Sequence, residues 1–157
     1  TRSIIEINYA SLILGAGGNT EIVIRERIPF QESIVPTIYH GMPLRTEYRV
    51  FYDFDNKKPL YIENYWDISY CHSSIARNMT DKIVYESVYP ELNQNYENHK
   101  DCVLNGVAEH LSKVEGFSGI WSVDILEDEK QHFWLIDMAL GCRSAYWDPE
   151  KAGVVNG

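Results

Sequence analysis

The sequence predicts an α+β fold, an antiparallel sheet with helices packed on one face. Three observations predict it. Two pairs of alternating, β-branched and aromatic stretches, 44–54 with 59–66 and 119–126 with 132–139, are each joined by a short polar link and have the form of hairpins. A long stretch, 90–114, carries apolar residues mostly at three- and four-residue steps, the spacing of an amphipathic helix. The order along the chain is helix, three strands, long helix, two strands, which lacks the strict strand–helix alternation of a parallel sheet.

Residues 2–14 gather Ile4, Ile5, Ile7, Leu12, Ile13 and Leu14 on one side behind Ser3, a helix with its cap. Gly15-Ala-Gly-Gly-Asn19 follows. It lacks the lysine of a P-loop and the spacing of a dinucleotide fingerprint, and it follows a helix rather than a strand, so it reads as a helix stop and turn. Residues 21–28 alternate and are β-branched, a first strand. Pro29, Pro36, Pro43 and Gly41 mark 29–43 as a loop. Residues 44–54 form the second strand, 55–58 a polar turn, 59–66 the third strand, and 67–80 an irregular connection. Leu92, Tyr96, Val103, Leu104, Val107, Leu111 and Val114 then line one face of the long helix, which Gly116 and Gly119 end before the last hairpin.

The 157 residues fit a single domain over 1–157, and 45% hydrophobic content suits a packed core. A net charge of −9 argues against a nucleic-acid partner, because phosphate contacts need clustered Lys and Arg. Cys71, Cys102 and Cys142 are widely spaced, odd in number and without a CxxC motif, so neither a disulfide framework nor a zinc site is expected, and a reducing cytoplasm is the expected setting. No apolar run approaches the ~20 residues of a membrane span, so neither a signal peptide nor a membrane partner is expected. Cys71-His72-Ser73-Ser74 offers a nucleophile beside a base, but such partners come from distant parts of a fold, not from sequence neighbours.

Two aspartates interrupt the last hairpin. They are Asp124 in Gly119-Ile-Trp-Ser-Val-Asp-Ile-Leu126 and Asp137 in His132-Phe-Trp-Leu-Ile-Asp-Met-Ala139. With Lys130 and Gln131 at the turn, Glu129 pairs with His132 and Asp124 falls opposite Asp137. Opposed Cβ atoms lie about 4.5–5.5 Å apart. Carboxylates that close repel, and each is costly to bury unpaired. A cation between them relieves both problems; the alternative is a carboxylate bonded to backbone or to an arginine.

Period 2 sets Arg45, Glu47, Arg49, Phe51 and Asp53 on one face of the second strand, either a solvated face with cross-strand ion pairs or the wall of a polar site. The first strand adds Arg25, Glu26 and Arg27. In an acidic chain, four arginines on two nearby strands suit a local anion site, since the guanidinium fork matches phosphate. Mg²⁺ takes one or two carboxylates plus substrate phosphates. Arginines and paired aspartates on one sheet therefore suggest a metal-bridged nucleoside triphosphate.

These residues together resemble the C-terminal half of ATP-grasp enzymes over most of 20–145. Ile22-Val-Ile-Arg-Glu-Arg-Ile28 resembles the hinge strand, with Glu26 and the backbone near Ile28 framing adenine. Leu44-Arg-Thr-Glu-Tyr-Arg-Val-Phe51 is similar to the E-F/Y-R-x-F strand of the protein-ligase-like and cell-division-cycle-123-like branches, whose arginine, here Arg49, contacts the triphosphate. Trp121-Ser-Val-Asp124 and Trp134-Leu-Ile-Asp-Met138 are similar to the metal-binding strands, with Asp124 and Asp137 as ligands. Arg143 falls where a basic residue that contacts substrate or phosphate follows. Two departures stand out. The family's acidic-x-Asn pattern has Ala139 at its third position, and the N-terminal lysines and glycine-rich lid are missing.

The resemblance implies an ATP- and Mg²⁺-dependent ligase. A small-molecule or peptide carboxylate attacks the γ-phosphate, and an amine or other nucleophile then displaces phosphate from the acylphosphate. Arg25, Arg45 and Arg49 would meet the triphosphate. The resemblance also implies that the chain is the C-terminal part of a longer protein, inactive without its N-terminal portion. The alternative is a nucleotide- or protein-binding module of the same fold that ligates nothing.

Overall fold

The computed structural model of the chain describes residues 28, 35–39, 41–75 and 77–154, and of residues 72–74 the backbone alone. The expected helix at 2–14, the glycine stop and the strand at 21–27, with Arg25 and Glu26, lie outside the described residues. Ile28 is half-buried and belongs to no strand.

Two short strands, β1 (Thr37–Ile38) and β2 (Met42–Pro43), form a small antiparallel ribbon within the stretch read as a loop. Then come β3 (Glu47–Asp53), β4 (Lys58–Asn64), α1 (Ile68–Ile75), α2 (Met79–Leu111), β5 (Ile120–Glu127), β6 (Phe133–Leu140) and a 3₁₀ turn, Gly141–Arg143. The main sheet is antiparallel throughout, in the order β4-β3-β5-β6. The fold is therefore α+β, with a long helix packed against an antiparallel sheet. Among the described residues, no helix is long and apolar enough to cross a membrane.

All of β3 is buried, which a two-stranded alternation does not require. Its even residues, Tyr48, Val50 and Tyr52, join Val123 and Ile125 of β5 beneath Tyr96, Val103, Val107 and Leu111 of α2. On its other face the chain that follows β6 covers Phe51, which packs on Trp147 with ring centroids 5.7 Å apart, and Phe51 also stacks on Tyr61 of the neighbouring β4 at 4.5 Å. A second core gathers Ile38, Leu44, Trp66 and Ile75 around Tyr85 and Leu92 of α2.

The helices begin earlier than the sequence suggests. The stretch 67–80 is not irregular: Asp67 accepts from the Ser69 N–H at 2.8 Å at the start of α1. Asn78 then caps α2 by accepting from the N–H groups of Thr80 and Asp81. Pro90, where the sequence reading starts the long helix, sits inside α2. Past the end of the helix, Gly116 and Gly119 adopt φ of 88° and 75°, a left-handed backbone that glycine takes without a Cβ clash.

Asp124 does lie opposite Asp137. The turn is one residue different from the expected one. Glu127, not Glu129, starts the pairing, opposite Phe133, because Asp128 gathers the loop: its carboxylate accepts from the N–H groups of Lys130 and His132 and from Trp134 Nε1, at 2.8–3.1 Å. The register then shifts between Asp124 and Ile125, where β6 carries Ile136 as an extra residue. The bulge restores the Asp124–Asp137 pairing that the wider turn would otherwise lose.

Candidate functional site

Register places four charged residues in one row across the sheet: Glu63 on β4, Arg49 on β3, Asp124 on β5 and Asp137 on β6. β3 and β5 are the two central strands, so the middle of the row is the most enclosed. Arg49 is 9% exposed and Asp124 5%. Arg49 donates from Nε to Asp124 Oδ1 at 2.8 Å and from Nη2 to Oδ2 at 2.7 Å, a bidentate pair. Its Nη1 donates to the Ala145 carbonyl at 3.3 Å, and its guanidinium carbon lies 4.8 Å from the centroid of the Tyr65 ring. Asp137 at the end of the row is exposed, and no described residue hydrogen-bonds its carboxylate. Glu63, at the other end, accepts from Lys151 Nζ at 2.5 Å.

Glu47 precedes Arg49 by two residues and shares its face. Burial pushes its carboxyl up to about 8, and the charges of Asp124 and then Asp137 add to this, while Arg49 works against it. Burial disfavours the Arg49 charge, but its hydrogen bonds to Asp124 and that residue's charge outweigh burial and raise its pKa overall. Glu47, Asp124 and Asp137 thus outnumber the one guanidinium among them, and this excess of negative charge adds to burial, the larger cause, in keeping a proton on Glu47 into neutral pH.

A divalent cation would answer the same excess. Each Asp124 oxygen taken by Arg49 keeps a further acceptor position, and Asp137 is exposed. Two carboxylates suffice for Mg²⁺ when phosphates complete its shell. Among the described residues there is no group of three or more His, Cys, Asp or Glu that could hold a metal on protein ligands alone. Ala139, opposite Ser122 on the same strand pair, offers no side-chain oxygen.

The structure thus brings together Arg49, Asp124 and Asp137, and separates them from the other expected contacts. Arg45 is not on the β3 face, because the strand begins only at Glu47. It pairs through Nη1 with Glu129 Oε1 at 2.5 Å, beside a groove of about 440 Å³ that also touches Leu92 and Asn95 of α2. Arg143 is exposed on the 3₁₀ turn. The side chains of His72, Ser73 and Ser74 lie outside the described residues. Glu47 carried a sequence signal, its two-residue spacing from Arg49. Tyr65 and the Ala145 carbonyl carried none, since they arrive from turns.

A second buried polar chain lies on the helix side of the sheet. Tyr48 donates its hydroxyl to Glu127 Oε2 at 2.6 Å, and Glu127 Oε1 lies 3.0 Å from His99 Nδ1 of α2, at an angle outside hydrogen-bond geometry. Burial, then the Glu127 hydrogen bond, raises the Tyr48 pKa well above the usual tyrosine range, so this hydroxyl stays a donor. The chain ties α2 to β3 and β5 and is a packing device.

Compared with models of known protein families, with curated proteins and with solved structures, the chain matches none.

Proposed function

We propose that the polar face of the sheet binds Mg²⁺ together with a nucleoside triphosphate, as the metal and nucleotide wall of an ATP-grasp-type ligase. The observation that carries the reading is the row Arg49, Asp124, Asp137 on three adjacent strands. Asp124 and Asp137 hold the cation, and Arg49, fixed by Asp124, directs Nη1 at a phosphate oxygen. The Ala145 carbonyl, 3.3 Å from that nitrogen, takes the hydrogen bond that a phosphate oxygen would take. The bound cation neutralises charge on the phosphates. The residues of the chain position the triphosphate for attack by a carboxylate and supply no covalent chemistry. The triphosphate contacts of Arg25 and Arg45, the framing of adenine by Glu26 and Ile28, and the substrate contact of Arg143 belong to the same reading.

Titration of Mg·ATP into the full-length protein tests it. Binding raises the melting temperature in proportion to ln(1 + [L]/Kd). The shift is expected in the wild type and lost in Asp137→Asn, which removes an exposed charge and leaves the core alone. Equal shifts in the two proteins, or none in either, would overturn the reading. A second reading, a nucleotide-binding module that ligates nothing, is favoured by Ala139, which contributes no oxygen for a second cation. A thermal shift without release of ADP or phosphate during incubation with cell extract selects it.

A further inference from the structure

Beyond the Glu63 end of the charged row lies a recess of about 320 Å³ between β4, the start of α1 and the segment after the 3₁₀ turn. Tyr70, Tyr146 and Trp147 form its aromatic side. The rings of Tyr70 and Tyr146 lie with centroids 4.1 Å apart. Tyr146 is held in place by its hydroxyl, which donates to the Tyr65 carbonyl at 2.7 Å, and it adopts a left-handed backbone with φ of 66°. A non-glycine residue keeps that conformation only where its surroundings impose it.

Carboxylates form the other side: Glu63, Asp67 and Asp148, with Lys151 as the one cation among the described residues that line the recess. Lys151 Nζ is committed to Glu63 at 2.5 Å and lies 5.7 Å from the centroid of the Tyr61 ring. Asp67 and Asp148 each use Oδ1 to accept from nearby N–H groups, of Ser69 in one case and of Glu150 and Lys151 in the other. Their Oδ2 atoms accept from no described residue. The recess is therefore anionic, lined on one side by aromatic residues, and already holds one ammonium of its own.

That combination selects its ligand class. Aromatic faces attract cations through the ring quadrupole, and they favour an organic ammonium, which sheds water more readily than a metal ion. The carboxylates are too dispersed for a metal: no group of three or more ligating side chains occurs among the described residues. A volume at the small end of ligand pockets suits a compact molecule. We propose that this recess binds a small organic amine through its ammonium group, between the Asp67 and Asp148 carboxylates and the Tyr70–Tyr146 ring pair, in competition with Lys151. The inference stands independently of the nucleotide reading.

The test uses n-butylamine at neutral pH and fixed ionic strength, with n-butanol as the uncharged counterpart and magnesium chloride as the metal counterpart, followed by calorimetry and by intrinsic tryptophan fluorescence. Saturable binding of butylammonium is expected. It should weaken about threefold in Tyr70→Ala, the loss of one exposed cation–π contact, and by a similar factor in Asp148→Asn. Lys151→Met removes the internal competitor and should tighten it about threefold. Tyr70 is 52% exposed, so its truncation leaves the fold in place, as an unchanged melting temperature will confirm. Absence of saturable binding in both the wild type and Lys151→Met would overturn the proposal. So would equal binding of butanol, displacement of butylammonium by Mg²⁺ at equal ionic strength, or affinity unmoved by Tyr70→Ala.

Discussion

Arg49 grips both oxygens of Asp124 from the neighbouring strand, with Nε and Nη2 each within 2.8 Å. The pair is buried at the centre of a four-stranded sheet, where an uncompensated charge is costly. Asp124→Asn leaves a buried guanidinium without its counter-charge and should cost about 3–5 kcal/mol in urea denaturation. The double variant Asp124→Asn with Arg49→Met removes both charges and should regain a large part of that loss. If the double variant is as unstable as the sum of the single ones, the pair is not coupled.

Glu47 makes stability depend on pH with a definite sign. Its carboxyl titrates near 4.5 when unfolded and at about 8 when folded. Between those values the folded state keeps a proton that the unfolded state has lost, so its contribution is full below about pH 4.5 and drains away as pH rises through about 8. Glu47→Gln keeps the neutral form at every pH. Its melting temperature should exceed that of the wild type by a margin that grows from pH 5 to pH 8.5, measured at constant ionic strength. A margin independent of pH would refute the assignment.

Gly141 is where the covering segment leaves the sheet. A Cβ there would stand 3.0 Å from the Ile120 carbonyl oxygen and 3.2 Å from the Trp147 ring. Backbone cannot yield as a side chain can, so Gly141→Ala should push the segment outward at a cost of about 1–3 kcal/mol. Proton spectra should report it through Trp147, whose ring would withdraw from Phe51. An unshifted Trp147 resonance would mean that the segment accommodates the methyl group.

Much of this was legible in the chain, and the failures have physical causes. Alternation gave the faces of β3, whereas Asp124 lies across from Asp137 as expected only because the bulge at Ile136 offsets the different turn. The turn was misjudged because Asp128 can accept from three groups at once, which periodicity does not report. Pro90 hid the first eleven residues of α2, since a proline inside a helix and one at its start look alike in sequence. At the site, the arginine and aspartates were visible as misplaced charges, and a carboxylate bonded to an arginine was one of the open readings; that Arg49 takes both oxygens of Asp124 and leaves Asp137 exposed was not visible. The aromatic recess was invisible, because Tyr70 and Tyr146 meet from positions far apart in the chain.

α2 has a mechanical consequence. Its 33 residues contribute Tyr85 and Leu92 to one core and Tyr96, Val103, Val107 and Leu111 to the other. A single rod clamped at both ends transmits load, yet Pro90 has no N–H for the Glu86 carbonyl, so the rod is notched one turn from the boundary between the cores. Opening should therefore proceed in steps. The amides of 79–89 exchange with solvent before those of 92–111, and the sheet with its charged row stays closed while the other core has already come apart.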